Sequence, residues 1–162
     1  MAPKAPPPTL DISVDIRATP RVVVNAFFDG SALATWWGAV RSVTTPRTLG
    51  PYAVEWASGA QDELLGHLGG VLRGTVVQFE PTRGFHVADV FWLPPDGNPV
   101  GPMGFEVACR LGVTPDGLPC TKVRLIQNGF EEGPRWRRYY DVFRPEWERA
   151  LGALKALVEA PA

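Results

Sequence analysis

Two carboxylates on strand-like segments, Asp89 and Glu55, are the residues best placed to do chemistry in this chain. A carboxylate held among apolar side chains can orient a polar ligand or move a proton, and it is costly there unless it is paired or hydrogen-bonded. In the run from Phe85 to Leu93, a period of two puts Phe85, Val87, Asp89, Phe91 and Leu93 on one face. That phase turns Asp89 inward; the competing reading is a bulge that turns it to solvent, or a simple pair with Arg73. Between Thr121 and Asn128 the same alternation turns Val123, Leu125 and Gln127 to the apolar face, which gives Gln127 a hydrogen-bonding role inside. From Met103 to Val113 the inward set is Phe105, Val107, Cys109, Leu111 and Val113, with Glu106 and Arg110 opposite.

Indoles supply the other chemistry, since Trp36, Trp37, Trp56 and Trp92 offer flat faces for stacking a ligand or simply for building a core. The residues expected at a ligand are Trp37, Trp56, Arg73, Asp89, Phe91, Phe105, Val107, Gln127, Tyr140, Phe143 and Trp147, with Asp89 and Glu55 as the acid–base candidates. Neither histidine joins a set with metal-ligand spacing: His67 lies in the glycine-rich Gly66–Gly70 segment, and His86 falls on the face opposite Asp89. No metal and no cofactor is expected. Nucleophile-elbow, phosphate-loop and dinucleotide motifs are absent from the sequence. Cys109 is expected to be a reduced, buried side chain opposite Val123 to Leu125, with Cys120 too near the turn to bridge it. The cluster Arg135, Arg137, Arg138 is flanked by Glu131, Glu132 and Asp141 and reads as a solvated helix face.

The elements that must position these residues follow from periodicity and breakers. Residues 1 to 9 form a proline-rich tail expected to be disordered, and residues 10 to 160 form one domain. With 162 residues and 45% hydrophobic content, one core is the economical solution. Leu10 to Ala18 alternates as a half-buried strand. Thr19-Pro20 then caps a short helix to about Phe28, and Asp29-Gly30-Ser31 caps a second that ends at Trp37-Gly38. Six strands follow at 40–44, 52–57, 70–80, 85–93, 103–113 and 121–128. A long terminal helix carries Trp136, Tyr140, Phe143, Trp147, Leu151, Leu154 and Val158 on one face, with a break or kink expected at Pro145. The result is an α+β chain of order β-α-α-β-β-β-β-β-β-α. The glycine-rich stretch 66–74 is read as a lid over a cavity mouth or a plain loop. A net charge of −1 gives no reason to expect nucleic acid. No apolar run spans a membrane and the N-terminus lacks a signal-peptide pattern, so the cytoplasm is the expected compartment.

These residues carry a resemblance. Ile16 to Val22, the Trp36-Trp37 pair, Gly74 to Pro81 leading to Phe85, Gly117 to Phe130, and Trp147 with Leu151 and Leu154 are similar to the SRPBCC or START-like superfamily. More narrowly, they resemble homologues of the activator of the ninety-kilodalton heat-shock protein ATPase. Thr82, where a second proline is often found, and the Pro/Gly-rich loop 94–102 depart from that pattern. The resemblance implies a helix-grip fold, a curved sheet of six or seven strands wrapped around the C-terminal helix, with a cavity for apolar or amphipathic molecules between them. Three functions stay open: a binding protein for a lipid-like or aromatic molecule, a polyketide cyclase or hydratase-like enzyme using a cavity carboxylate, and a chaperone-accessory or other interaction module. A homodimer through an edge strand or the Pro/Gly loop is compatible with each.

Overall fold

Strict alternation at the start of the chain folds as strand β1 (Leu10–Ile16), whose ends Leu10 and Ile16 are fully buried. Thr19 caps helix α1 (Pro20–Ala26), its hydroxyl accepting from the Val22 N–H at 3.3 Å, and Pro20 occupies the first turn where its missing N–H costs nothing. Asp29 caps helix α2 (Gly30–Trp36) through the N–H groups of Ser31 and Ala32. Then come β2 (Arg41–Thr44), β3 (Pro51–Trp56), β4 (Gln61–Asp62), β5 (Gly66–His67), β6 (Gly70–Glu80), β7 (Gly84–Leu93), β8 (Val100–Val113) and β9 (Pro119–Asn128), before helix α3 (Pro134–Glu159). The computed structural model describes residues 8–161. The proline-rich tail expected over residues 1 to 9 lies mostly at residues 1–7, outside the described residues.

Seven strands form one antiparallel sheet in the order β1-β9-β8-β7-β6-β3-β2, and the small β4–β5 ladder stands apart from it. The fold is therefore α+β, with α3 lying across one face of the sheet and α1 and α2 closing the same side. Leu33, Phe27, Val54, Phe85, Val107, Leu125, Leu151 and Leu154 fill the space between these layers. Gly66–His67, read from sequence as part of a loop, pairs with Gln61–Asp62, and both strands are too short to show a period of two.

Three expectations need correction. Asp89 does not point inward, because the β7–β8 register shifts between Val87 and Val90 and Asp89 sits at φ 50° at that irregularity. The buried set on β7 is thus Phe85, Val87, Val90 and Trp92, while Asp89 is exposed and Phe91 lies on the outer face side with Arg73, whose guanidinium sits 5.5 Å from its ring. Gly74 opposes this bulge from β6, where an added Cβ would come within 2.7 Å of Val87 Cγ1. Leu111 and Val113 share the inward phase of β8, yet they are 77% and 58% exposed because the β8–β9 hairpin extends past the core. Finally, Pro145 does not split the last helix, which runs unbroken over 26 residues. Its missing donor is one hydrogen bond, outweighed by the buried Tyr139, Trp147, Leu151 and Leu154 that hold the helix on both sides of it.

Candidate functional site

Aromatic side chains from four elements enclose a cavity of about 360 Å³ between the sheet and the middle of α3. Trp37 comes from the end of α2, Trp56 from β3, Trp92 from β7, and Tyr139, Phe143 and Trp147 from α3, with Leu72 of β6 below and Leu68 at the side. Trp37 stacks on Trp36 at 4.9 Å, meets Trp56 edge-on at 5.1 Å, and lies 4.7 Å from Trp147. On the other side Tyr139 and Phe143 stack at 4.4 Å, and Trp92 meets Phe143 edge-on at 4.9 Å.

These rings are fixed by more than packing, because an indole N–H can only donate and must find an acceptor when buried. Trp56 donates to the Trp37 carbonyl at 2.7 Å, Trp92 to the Gly69 carbonyl at 2.8 Å, and Trp147 to Gln127 Oε1 at 3.1 Å. The wall is therefore held in place before any ligand arrives, which reduces the ordering entropy of binding. Gln127 is fully buried behind that wall and also donates to the Tyr139 hydroxyl at 3.0 Å. It ties β9 to two wall residues of α3.

Of the residues expected at a ligand, the structure brings Trp37, Trp56, Phe143 and Trp147 to the cavity. Phe105 and Val107 are buried in the core layer, Phe105 lying 6.0 Å from Trp147. Tyr140 is turned away, packed on Phe130 and accepting from Arg144 at 3.3 Å. Arg73, Asp89 and Phe91 are on the outer side of the sheet, and Glu55 pairs with Arg41 of the neighbouring strand at 2.9 Å. Neither acid–base candidate reaches the cavity. Cys109 is buried, and this burial pushes its thiol up to about 12. No cluster of three metal-ligating side chains occurs among the described residues.

Tyr139 was missed because a step of three back from Phe143 reaches Tyr140 and a step of four reaches Tyr139, and the aromatic face was read through Tyr140. The charged residues Glu146 and Arg149, also unforeseen, stand at the mouth and hydrogen-bond each other.

The segment 57–69 forms the remaining wall, through Ala57, Gly59, Ala60 and Leu68. It is pinned to α3 by the basic cluster that read as a solvated face. Arg138 donates to Asp62 Oδ2 at 2.7 Å, and Arg135 donates to the Leu64 carbonyl at 3.1 Å and to the Pro99 and Asn98 carbonyls. His67 joins the same segment to Asp96, with its backbone N–H on Oδ1 at 2.7 Å. Asp62 is almost fully desolvated, which opposes ionisation. Its bonds from Arg138 and from the Leu64 and Leu65 N–H groups outweigh this and hold its carboxyl below the usual value of 3.8. A lowered carboxylate stabilises the folded state above 3.8 and loses that contribution as pH falls through its lower folded value. Asp62→Asn is thus expected to cost about 1 kcal/mol at neutral pH, since Arg138 is half exposed. The difference from wild type in urea unfolding should vanish in strong acid; a constant difference across pH would show that the ion pair is not its source.

This architecture is a helix-grip arrangement: an antiparallel sheet gripping a long terminal helix, with two short helices near its start. No protein-family model and no curated protein sequence matches the chain. Solved structures match along nearly its whole length. Protein MLL2253 from Mesorhizobium loti superimposes with a TM-score of 0.64 at 22% identity, over 94% of this chain and 97% of that one. The Aha1 dimer from Colwellia psychrerythraea gives 0.61 at 17% identity, over 93% and 96%. DynU16, a protein of the dynemicin biosynthetic locus, gives 0.60 at 16% identity, over 94% of this chain and 47% of that one. The fold is thus SRPBCC/Aha1-like. Among the described residues, no helix is long and apolar enough to cross a membrane.

Proposed function

We propose that this chain is a small-molecule binding protein that takes an apolar, ring-bearing or lipid-like ligand between the sheet and α3. The observation that carries it is the aromatic cavity, whose volume of about 360 Å³ lies within the roughly 300–1,000 Å³ of small-molecule sites. Its walls are apolar and its indoles preset, while its charged side chains stand at the mouth and satisfy each other. The stacking geometry of Trp37 with its neighbours is in keeping with a ring-bearing ligand. The cyclase or hydratase alternative loses its two named carboxylates to the outer side of the sheet. Titrating fatty acids, sterols and aromatic polyketides against intrinsic tryptophan fluorescence tests the reading. Saturable binding is expected for at least one class, weakened roughly tenfold by Trp37→Ala, which removes a stacking face. Asp89→Asn should bind as wild type does; a large loss there would move the site to the outer face of the sheet.

A second reading, as a protein-interaction module or homodimer, is favoured by the β8–β9 hairpin end, where Leu111, Val113 and Leu118 are all exposed. Sedimentation equilibrium of wild type and Leu111→Ser tests it. A dimer that dissociates on substitution supports this reading, and a monomer in both cases removes the homodimer.

A further inference from the structure

Trp147 decides which way a buried amide faces. Its indole N–H only donates, so the Gln127 oxygen must be the atom beside it, at 3.1 Å. The amide nitrogen is thereby turned to the Tyr139 hydroxyl at 3.0 Å and to Met103 Sδ at 3.4 Å. Flipping the amide would set two donors against each other at Trp147. An amide nitrogen also only donates, so the phenol oxygen of Tyr139 accepts and its own proton is left over. Tyr139 is 1% exposed, lines the cavity, and makes no other hydrogen bond among the described residues. Buried O–H groups are rarely left without an acceptor in folded proteins.

We infer that Tyr139 is the hydrogen-bond donor of the cavity, its proton reserved for an oxygen acceptor on the ligand. The ligand class narrows to an apolar, ring-bearing molecule that carries a carbonyl or comparable oxygen within reach of Tyr139. This rests on the binding reading above. Gln127 acts through Tyr139 as a positioning residue: it occupies the phenol oxygen and so releases the proton. Burial also raises the ionisation of Tyr139 above the ordinary phenol value, which keeps the group a donor throughout the physiological range.

The test uses two probes of similar shape, 2-acetylnaphthalene and 2-isopropylnaphthalene, of which only the first has an acceptor oxygen. Tryptophan fluorescence titrations of wild type and Tyr139→Phe should show the ketone weakened roughly two- to tenfold by the substitution and the hydrocarbon unchanged. In wild type alone, the infrared carbonyl stretch of the bound ketone should lie below its value in an alkane solvent. A carbonyl stretch matching the alkane value, or equal loss of both probes in Tyr139→Phe, overturns the donor assignment while leaving the cavity reading intact. If neither naphthalene binds wild type, the cavity reading fails for ring-bearing ligands and the donor role falls with it. The infrared measurement needs no variant, so an unstable Tyr139→Phe would not shelter the proposal.

Discussion

Replacing Trp147 by alanine is expected to lower unfolding stability by about 3–5 kcal/mol, measured by urea denaturation. Trp147 is 4% exposed and touches Trp37 at 4.7 Å and Phe105 at 6.0 Å, so its loss removes the contact through which α3 grips both α2 and the sheet. The indole also bonds Gln127, and its removal orphans the buried amide oxygen. A small domain holds only about 5–15 kcal/mol in total, so this single change should bring the protein near its folding threshold at physiological temperature. A loss below about 1 kcal/mol would mean that the helix is seated by other contacts and that the cavity wall reseals by collapse.

Gln127→Leu should cost about 2–3 kcal/mol, although leucine nearly matches the glutamine in volume and is apolar among apolar neighbours. Hydrophobic bookkeeping alone predicts a neutral or favourable change. The opposite sign is expected because the indole N–H of Trp147, buried with it, would keep its desolvation penalty and lose its acceptor. A double-mutant cycle separates these effects. In a Trp147→Phe background there is no N–H to orphan, so Gln127→Leu should cost roughly 1 kcal/mol less than in wild type. Additive costs would show that Gln127 matters through packing and not through the bond.

Both residues show how unevenly the site was written in the sequence. Trp147 and Gln127 were placed facing inward because each sits in a regular element whose period held: Gln127 keeps the phase of Val123 and Leu125, and Trp147 keeps the phase of Leu151 and Leu154. Asp89 and Phe91 were misplaced because one extra residue at the bulge reverses every side chain beyond it, and neither glycine nor proline marks that position in β7. Trp92 became the inward residue for the same reason. Tyr139 and Tyr140 both stand three or four residues before Phe143, and only the seating of α3 on the sheet buries Tyr139. Arg135 and Arg138 looked like solvated charges because their partners, Asp62 and the carbonyls of Leu64, Asn98 and Pro99, are distant in sequence and lie in segments without periodicity.

By itself, the sequence determined the α+β element order, the capped pair of short helices, the six major strands after them and the apolar face of a terminal helix. Each of these is set by local rules: side-chain period, cap chemistry and the backbone limits of glycine and proline. Tertiary structure alone decided that four indoles, a phenol and a phenylalanine meet around one space, that the expected carboxylates stay outside it, and that a buried amide leaves one phenol proton unspent. Those outcomes depend on strand register and on which donor faces which acceptor across β9, β7 and α3. No local rule fixes such pairings, because they are selected only when the whole core closes and every buried polar group must find its partner at once.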